Sequence, residues 1–301
     1  MSAVRVRILV TGSSGLVGAG VVSALRAAGH DVVRLVRHAA RGDDQISWDP
    51  ANGRINAAAL EGLDAVIHLA GENVAGRRWT ARQKASIRAS RVDGTALLSA
   101  ALTRCQAPPR VVVGASAIGY YGSRADEVMT EHSGPGADFL AETCRDWEAA
   151  YRPLEGCARV VTLRIGVVLS LEGGALKRML PAFRRGLAGR LGNGRQYMSW
   201  IEASDLVSII LHALNDEELS GAVNATAPNP VTNAEFTRTL GRVLRRPTVL
   251  AVPALALRLL LGELADGLLL SSTRVQPERL QRAGFEFRFP ELEGALRHLL
   301  R

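Results

Sequence analysis

The sequence predicts an α/β fold in which a doubly wound parallel sheet is combined with a smaller, interleaved C-terminal α+β lobe. Short apolar, β-branched runs alternate with helical patterns up to residue 168. The first run ends in a glycine-rich turn that opens a helix, and the alternation gives way to glycine-rich and aromatic segments after residue 168. Such alternation favours a parallel sheet covered by helices on both faces. The predicted units are a Rossmann-like domain at 1–168, to which parts of 196–228 return, and a smaller lobe at 169–301 with a terminal segment at 251–301.

The first strand and its turn carry the clearest functional signal. Residues 6–10 are followed by Thr11 and by a turn with glycines at positions 12, 15 and 18. Gly12 permits the tight turn, Gly15 lets the backbone approach a pyrophosphate, and Gly18 lets the helix pack closely. The N–H groups at the start of the helix suit a phosphate. Because the turn lies between a strand and a helix at the start of the chain, it predicts a dinucleotide site rather than an ordinary turn.

The second strand, at 32–36, indicates which dinucleotide binds. It ends at Arg37 and His38. An acidic residue at this position takes the ribose hydroxyls of NAD, whereas a basic residue suits a 2′-phosphate, which a guanidinium group binds through two hydrogen bonds. We therefore predict NADP(H) as the cofactor. The alternative is a surface arginine at a strand end.

The remaining elements are predicted from periodicity and end signals. Residues 43–60 are polar and irregular, and His68 lies in an apolar run, which favours a buried histidine over a catalytic one. Thr80 is the expected N-cap of a long helix, a further helix begins at Asp138, and Thr232 is the expected cap of a later one. Further strands are predicted at 63–71, 111–116, 159–166 and 223–225, and further helices at 176–185, 205–214 and 234–244.

Composition limits the class of protein. The formal charge is +8, with 37 Lys+Arg and 29 Asp+Glu, but no basic tract or zinc motif is present, so we expect no nucleic-acid partner. The apolar stretch at 254–270 is interrupted by charged residues, which favours a buried or partner-facing helix over a membrane span. We expect no membrane partner. The 3 cysteines are not spaced as metal ligands, so we expect no metal site and a cytoplasmic protein.

A set of short motifs along the whole chain resembles one known family. The motifs are the turn at 11–18, His68 to Glu72, Arg78 to Thr80, Ser90-Arg91, Ser116 to Gly122, Asp138 to Leu140, Trp147-Glu148, Gly166 to Leu169, Gly194 to Gln196, Ser199 to Ile201, and Ala227 to Asn233. With them the sequence resembles the extended short-chain dehydrogenases/reductases of the NAD-dependent epimerase/dehydratase superfamily. Within that superfamily it is most similar to the atypical epimerase subfamily known as family 39U, including that subfamily's own C-terminal segment.

The resemblance implies an NADP(H)-binding Rossmann domain and a C-terminal lobe that closes over a substrate. It places Leu69 and Ala70 along the adenosine side of the cofactor. The cofactor residues implied by the resemblance and by the turn are Gly12, Ser14, Gly15, Leu16, Val17, Arg37, Leu69, Ala70, Ser86, Arg91 and Val167.

The catalytic positions depart from the family pattern. Active members use a serine, a tyrosine, and a lysine four residues after the tyrosine, which lowers the pKa of the phenol. Here the corresponding helix has Phe139 or Leu140 at the tyrosine position and a threonine or cysteine at the lysine position. The catalytic candidates that remain are Ser116 and Tyr120.

The substrate region departs as well. Sugar-nucleotide enzymes have an arginine where this chain has Met198, and a methionine does not bind a diphosphate. Trp79, Tyr121, Met198 and Trp200 suggest a partly apolar pocket, unless they are core residues. We therefore predict an NADP(H)-binding, epimerase-family, oxidoreductase-like protein acting on an unidentified small, partly apolar substrate. The alternative is a catalytically inactive NADP(H)-binding sensor or partner-binding module, and a homodimer is left open.

Overall fold

A computed structural model describes residues 5–301. The strands are β1 (Arg7–Thr11), β2 (Asp31–Val36), β3 (Gln45–Asp49), β4 (Arg54–Ile55), β5 (Ala65–His68), β6 (Val111–Ala117), β7 (Val128–Met129), β8 (Arg159–Ile165), β9 (Val167–Leu169), β10 (Tyr197–Met198), β11 (Trp200–Glu202), β12 (Gly221–Ala225), β13 (Val231–Thr232) and β14 (Arg274–Val275). The α-helices are α1 (Leu16–Ala27), α2 (Ala81–Leu102), α3 (Phe139–Ala149), α4 (Gly174–Arg184), α5 (Ala203–Asn215), α6 (Asn233–Leu244), α7 (Ala254–Leu261), α8 (Glu278–Arg282) and α9 (Leu292–Leu299).

An eight-stranded sheet organises the molecule, with the strand order β12-β8-β6-β5-β1-β2-β3-β4. Neighbouring strands in it run parallel except for β3 and β4, which are antiparallel. From β1 the chain adds β2, β3 and β4 toward one edge of the sheet. It then crosses back to β5, which pairs with β1 on the opposite side, and adds β6, β8 and β12 toward the other edge. This confirms the predicted doubly wound fold. The point where the direction reverses lies between β1 and β5, and a crevice for ligands opens there at the carboxyl ends of the strands.

Helices cover both faces of the sheet, so its central strands are apolar on both sides. In β1, Ile8 and Val10 pack with Val21 of α1 on one face, whereas Leu9 packs with Leu98 of α2 on the other. The chain returns to the large sheet at β12, after α5 has packed on α1. The C-terminal part adds three two-stranded sheets, β10 with β13, β11 with β9, and β14 with β7.

The predicted helix caps are confirmed. The Thr80 hydroxyl accepts a hydrogen bond from the backbone N–H of Gln83 at 3.2 Å. Asp138 caps α3 at 2.9 Å, and Thr232 forms a reciprocal capping box at the start of α6. These polar groups satisfy backbone donors that a helix start leaves without intrahelical partners. By contrast, the N-cap residue of α1 is Gly15, which has no side chain to cap the helix.

One prediction about local structure is wrong, and a second is met only in part. Residues 43–60 are not irregular, because β3 extends the sheet there and β4 pairs with it, with Ile46 and Trp48 buried. The stretch at 254–270, expected to be a buried or partner-facing helix, is not buried throughout. It forms the short helix α7 and a π-helical turn, and Leu259 and Leu260 of α7 are 72% and 73% exposed. Within residues 5–301, the helices are too short or too polar to cross a membrane.

Candidate functional site

The glycine turn lies at the crevice between β1 and β5. Gly12 has a φ of +62°, and a Cβ atom on it would lie 2.8 Å from the carbonyl carbon and oxygen of Leu69. A Cβ atom on Gly18 would lie 2.2 Å from the carbonyl oxygen of Gly12. Backbone atoms cannot yield as a flexible side chain can, so both positions require glycine. The turn is therefore packed tightly against the segment that follows β5.

Hydrogen bonds hold the carboxyl ends of β1 and β5 together. The Thr11 hydroxyl oxygen accepts from the backbone N–H groups of Leu69 and Ala70, at 3.0 and 3.1 Å. It lies 2.7 Å from His68 Nδ1, and His68 Nε2 lies 3.0 Å from the Thr95 hydroxyl. Burial lowers the pKa of His68 to about 4, so its ring is neutral at pH 7. The expectation of a buried histidine is confirmed. His68 links Thr11 at the end of β1 to Thr95 of α2.

The remaining predicted cofactor residues of the turn and of the end of β2 are exposed or half-buried. Ser14 and Gly15 are exposed, and Leu16 and Val17 are half-buried in the first turn of α1. Arg37 is exposed directly after β2. Gly15 has no Cβ, and the start of α1 has no side-chain cap, so the first N–H groups of the helix have no side-chain partner. These features fit a dinucleotide, with its pyrophosphate at the helix start.

The segment after β5 is fastened to α2. The Ser90 hydroxyl accepts from the backbone N–H of Glu72 at 3.0 Å. The Arg91 guanidinium packs against Gly71, where a Cβ atom would lie only 3.3 Å from its Cζ. Burial lowers the pKa of Arg91. Ser86 is exposed one helical turn before Ser90, and both serines therefore lie on the same side of α2.

Ser116 lies at the end of β6, but its hydroxyl is already engaged. It is 3% exposed and donates to Glu148 Oε1 at 2.7 Å. Glu148 also accepts two hydrogen bonds from Arg164, each at 2.8 Å. Burial alone would lower the pKa of Arg164, but the hydrogen bonds and charge of Glu148 outweigh it and raise that pKa. Ser116 is therefore part of a buried ion-pair network.

The same arginine contacts both tyrosines of the following turn. Arg164 Nη1 donates to the Tyr121 hydroxyl at 3.0 Å, and that hydroxyl donates to Asn224 Oδ1 at 2.7 Å. Burial raises the pKa of Tyr121 to about 12. The half-buried Tyr120 ring lies against the guanidinium, with Arg164 Cζ 3.5 Å from the ring centre. Tyr120 thus contacts Arg164 directly, and Ser116 is linked to the same arginine through Glu148.

Sequence reasoning missed Arg164 and Glu148 as members of this network. A signal for Arg164 was present, because it is a charged residue within the apolar run of β8. A charge in a strand that is buried on both faces requires a partner of opposite charge. The sequence did not indicate which carboxylate that would be.

The helix beside Ser116 contains neither tyrosine nor lysine. Leu140 and Cys144 of α3 face the turn that holds Tyr120, since a Cβ atom on Gly119 would lie 3.2 Å from Leu140 Cβ and 3.8 Å from Cys144 Sγ. Burial raises the pKa of the Cys144 thiol to about 12. The Thr143 hydroxyl donates to the Phe139 carbonyl within the helix, at 2.7 Å.

The structure does not bring the four predicted pocket residues together. Tyr121 and Trp200 are 0% exposed and lie in different apolar clusters, so neither presents surface to a ligand. Trp79 is buried in a third cluster, where its ring packs edge-on against Phe139 at 5.3 Å. Met198 is half-buried in β10. The remaining predicted residue, Val167, begins β9 and is paired with Trp200.

An open pocket of about 500 Å³ lies instead between the segment after β5 and the start of α2. It is lined by Glu72, Arg77, Arg78, Arg82, Gln83 and Ser86, together with Thr80. Ser86 is the predicted cofactor residue that reaches this pocket. Among residues 5–301, no group of His, Cys, Asp and Glu side chains could hold a metal ion.

The sheet, its switch point and the glycine turn define a Rossmann-type α/β protein with a nucleotide crevice. A family model described as the NAD dependent epimerase/dehydratase family matches residues 8–225. The chain belongs to that family. A second model, described as a domain of unknown function (DUF1731), matches residues 252–299.

Full-length relatives agree with this assignment and confirm the resemblance to family 39U. The chain is 47% identical to the epimerase family protein Mb2239 of Mycobacterium bovis over 290 residues, which cover 96% of each chain. It is 36% identical to human epimerase family protein SDR39U1, covering 98% of this chain and 99% of the human one. The crystal structure of human SDR39U1 (isoform2) with NADPH superposes with a TM-score of 0.89 at 35% identity, covering 97% and 98% of the two chains.

Proposed function

We propose that this protein binds NADP(H) in the crevice between β1 and β5 and acts as an epimerase-family, oxidoreductase-like protein on a small molecule. The observation that carries the proposal is the exposed, uncapped start of α1 at the switch point, with the basic Arg37 at the end of β2. A guanidinium at that position suits the 2′-phosphate that distinguishes NADP(H) from NAD(H). The human relative, which was crystallised with NADPH, supports the same cofactor.

The chain's residues would hold the cofactor as follows. Gly12 and Gly15 keep the turn free of Cβ atoms, so that Ser14 and the N–H groups of Leu16 and Val17 can approach the pyrophosphate. Leu69 and Ala70 border the adenosine side, and Arg37 takes the 2′-phosphate. The residues proposed along the rest of the cofactor are Ser86, Arg91 and Val167. When bound, the nicotinamide supplies a hydride donor or acceptor.

For chemistry, we assign Ser116 and Tyr120 as the groups that contact the substrate oxygen. The Ser116 hydroxyl donates to Glu148, so its oxygen can still accept a hydrogen bond from a substrate hydroxyl. Arg164 places a fixed positive charge against Tyr120. The Tyr-x-x-x-Lys pair of the active family members is lacking on α3, and the chain would use this arrangement in its place.

The second candidate is a catalytically inactive NADP(H)-binding sensor or partner-binding module. It is favoured by the engagement of the Ser116 hydroxyl in the ion-pair network and by the absence of tyrosine and lysine from α3. Turnover of any substrate that is lost in Ser116→Ala or Tyr120→Phe would exclude it. If neither variant changed any measured property of the NADPH complex, the module would be preferred.

The cysteines bear on the compartment. Cys105 and Cys144 are buried and Cys157 is exposed, and all three are free thiols. Free thiols are usual in reducing compartments, so we propose a cytoplasmic location.

The test is a titration of the purified protein with NADPH and with NADH, followed by nicotinamide fluorescence. We expect Arg37→Glu to weaken NADPH binding by at least about tenfold, because it replaces a charge-assisted contact with repulsion, and to leave NADH binding unchanged. Arg110→Glu is the matched control, since this 77% exposed arginine directly precedes β6, at the amino-terminal end of the parallel strands. Equal NADPH affinity in Arg37→Glu and the wild type would refute the role of Arg37. Failure of both cofactors to bind the wild type would refute the proposed function.

A further inference from the structure

The Arg78-Trp79-Thr80 motif has no part in the proposed cofactor contacts, although it lies beside them. In the structure, Trp79 anchors the motif, and Arg78 and Thr80 on either side of it face the open pocket. The Trp79 indole donates to the Val74 carbonyl at 2.8 Å and so closes the loop. The buried Trp79 therefore fixes the position of the backbone from which the Arg78 and Thr80 side chains extend to the pocket.

Other elements hold the same loop from outside. Arg178 of α4 donates to the Ala75 carbonyl, and the Asn73 side chain accepts from the backbone N–H of Ala75 at 3.0 Å. The Arg78 guanidinium lies against Gly262, where a Cβ atom would approach its Nε to 2.9 Å. The C-terminal segment thus limits where Arg78 can move, and the pocket entrance is built from distant parts of the chain.

The charges in the pocket are not balanced. Elsewhere on the same helix, Lys84 and Arg88 each form an ion pair with a carboxylate, at 2.9 and 2.7 Å. Among residues 5–301, by contrast, no carboxylate lies within ion-pair distance of the three pocket arginines at 77, 78 and 82. The one acidic lining residue is Glu72. The pocket is therefore positively charged.

A buried donor in the same pocket lacks an acceptor. Gln83 Nε2 is buried and makes no hydrogen bond to the described residues. A buried donor without a partner is unfavourable by roughly 1–3 kcal/mol. Of the five buried side-chain atoms without a hydrogen-bond partner among residues 5–301, Gln83 Nε2 is the one whose residue lines the pocket. Surface arginines that bind only water would not need a buried amide donor beside them. A ligand oxygen that reached Nε2 would supply the missing acceptor.

We propose that this pocket binds the anionic group of the substrate, either a carboxylate or a phosphate. The inference rests on the proposed function, since it places the substrate beside the proposed NADP(H) residue Ser86. Guanidinium groups bind both anions with planar, charge-assisted hydrogen bonds, and the Gln83 amide adds a neutral donor. The substrate then carries an anionic group.

The experiment measures anion binding to the NADPH complex by isothermal titration calorimetry. The probes are inorganic phosphate and malonate, with chloride at equal ionic strength as the reference. We expect saturable binding of at least one probe, weakened by about tenfold or more in Arg78→Ala and Arg82→Ala and less strongly in Gln83→Leu. Arg88→Ala is the matched control, because this arginine lies on the same helix outside the pocket and is paired with Asp146. The probe that binds tells a phosphate substrate from a carboxylate substrate.

Binding of neither probe above the chloride reference would overturn the proposal, and so would binding that is unchanged in Arg78→Ala and Arg82→Ala. NADPH affinity is measured in the same variants by nicotinamide fluorescence. Loss of NADPH binding in Arg78→Ala would assign these arginines to the cofactor and overturn the proposal. The proposed function is refuted by a different result, which is that the wild-type protein binds no NADPH. In that case the anion titration is repeated on the cofactor-free protein, so that anion binding by the pocket is tested independently.

Discussion

Removal of the Glu148 carboxylate tests whether the Glu148–Arg164 ion pair at the candidate active site is buried and required for stability. Glu148→Leu leaves the Arg164 side chain, which is 5% exposed, without its carboxylate. Ser116 loses the acceptor of its hydroxyl in the same change. The substitution therefore leaves a buried charge and a buried donor unpaired.

The expected loss in the free energy of unfolding is about 3 kcal/mol. Breaking a buried ion pair by removing one partner costs roughly 3–5 kcal/mol. The value falls at the low end because Arg164 keeps its hydrogen bond to Tyr121 and its contact with the Tyr120 ring. The double variant Glu148→Leu/Arg164→Leu removes the unpaired charge as well. We expect it to be less destabilised than Glu148→Leu alone.

The assay is urea unfolding followed by circular dichroism at two salt concentrations. Glu142→Leu is the control, since Glu142 is an exposed carboxylate on the same helix and should change stability by no more than about 0.5 kcal/mol. The effect of Glu148→Leu should be nearly independent of salt because buried charges are screened little. The buried ion pair would be refuted if Glu148→Leu lost no more stability than the control, or if the double variant were less stable than Glu148→Leu alone.

Two further predictions concern the crevice itself. Gly12→Ala should lower the free energy of unfolding by about 2 kcal/mol or more and abolish NADPH binding, because its Cβ would meet the Leu69 backbone. The control is Gly29→Ala, at a φ of +83° with nothing within 4 Å, which should lower the free energy of unfolding by only about 1 kcal/mol. Equal losses in the two variants would contradict the close approach of Gly12 to Leu69. Burial lowers the pKa of His68 from 6.5 to about 4, so the unfolded chain binds more protons and stability should fall by up to about 3 kcal/mol as the pH is lowered from 6.5 to 4. This fall should be smaller in His68→Gln, and an unchanged pH dependence in that variant would show that His68 is not the group responsible.

The crevice could be predicted from the sequence because its signals are local. The turn after β1, the end of β2 and the capping residue Thr80 each depend on neighbours within a few positions. The strand–helix alternation then fixes which ends meet, since parallel strands place their carboxyl ends at the same edge. Residues 43–60 were missed because β3 is short and partly exposed, so its apolar alternation is weak.

The network and the pocket could not be predicted in this way. Ser116, Glu148 and Arg164 are separated by 32 and 16 residues, and only the packing of α3 and β8 against β6 brings them together. The pocket at Arg78 depends on contact with Gly262, which is still more distant in the chain. Sequence patterns report burial or exposure but not the partner across such distances.

The sequence by itself determined the parallel sheet, the glycine turn and the basic end of β2, because each follows from local periodicity and backbone geometry. The tertiary structure alone decided that Tyr121 and Trp200 are core residues and that Ser116 donates to a carboxylate. It also decided that three arginines share one pocket. The physical reason is that burial and charge pairing depend on which distant elements pack together, and a single chain of residues does not state this in its local pattern.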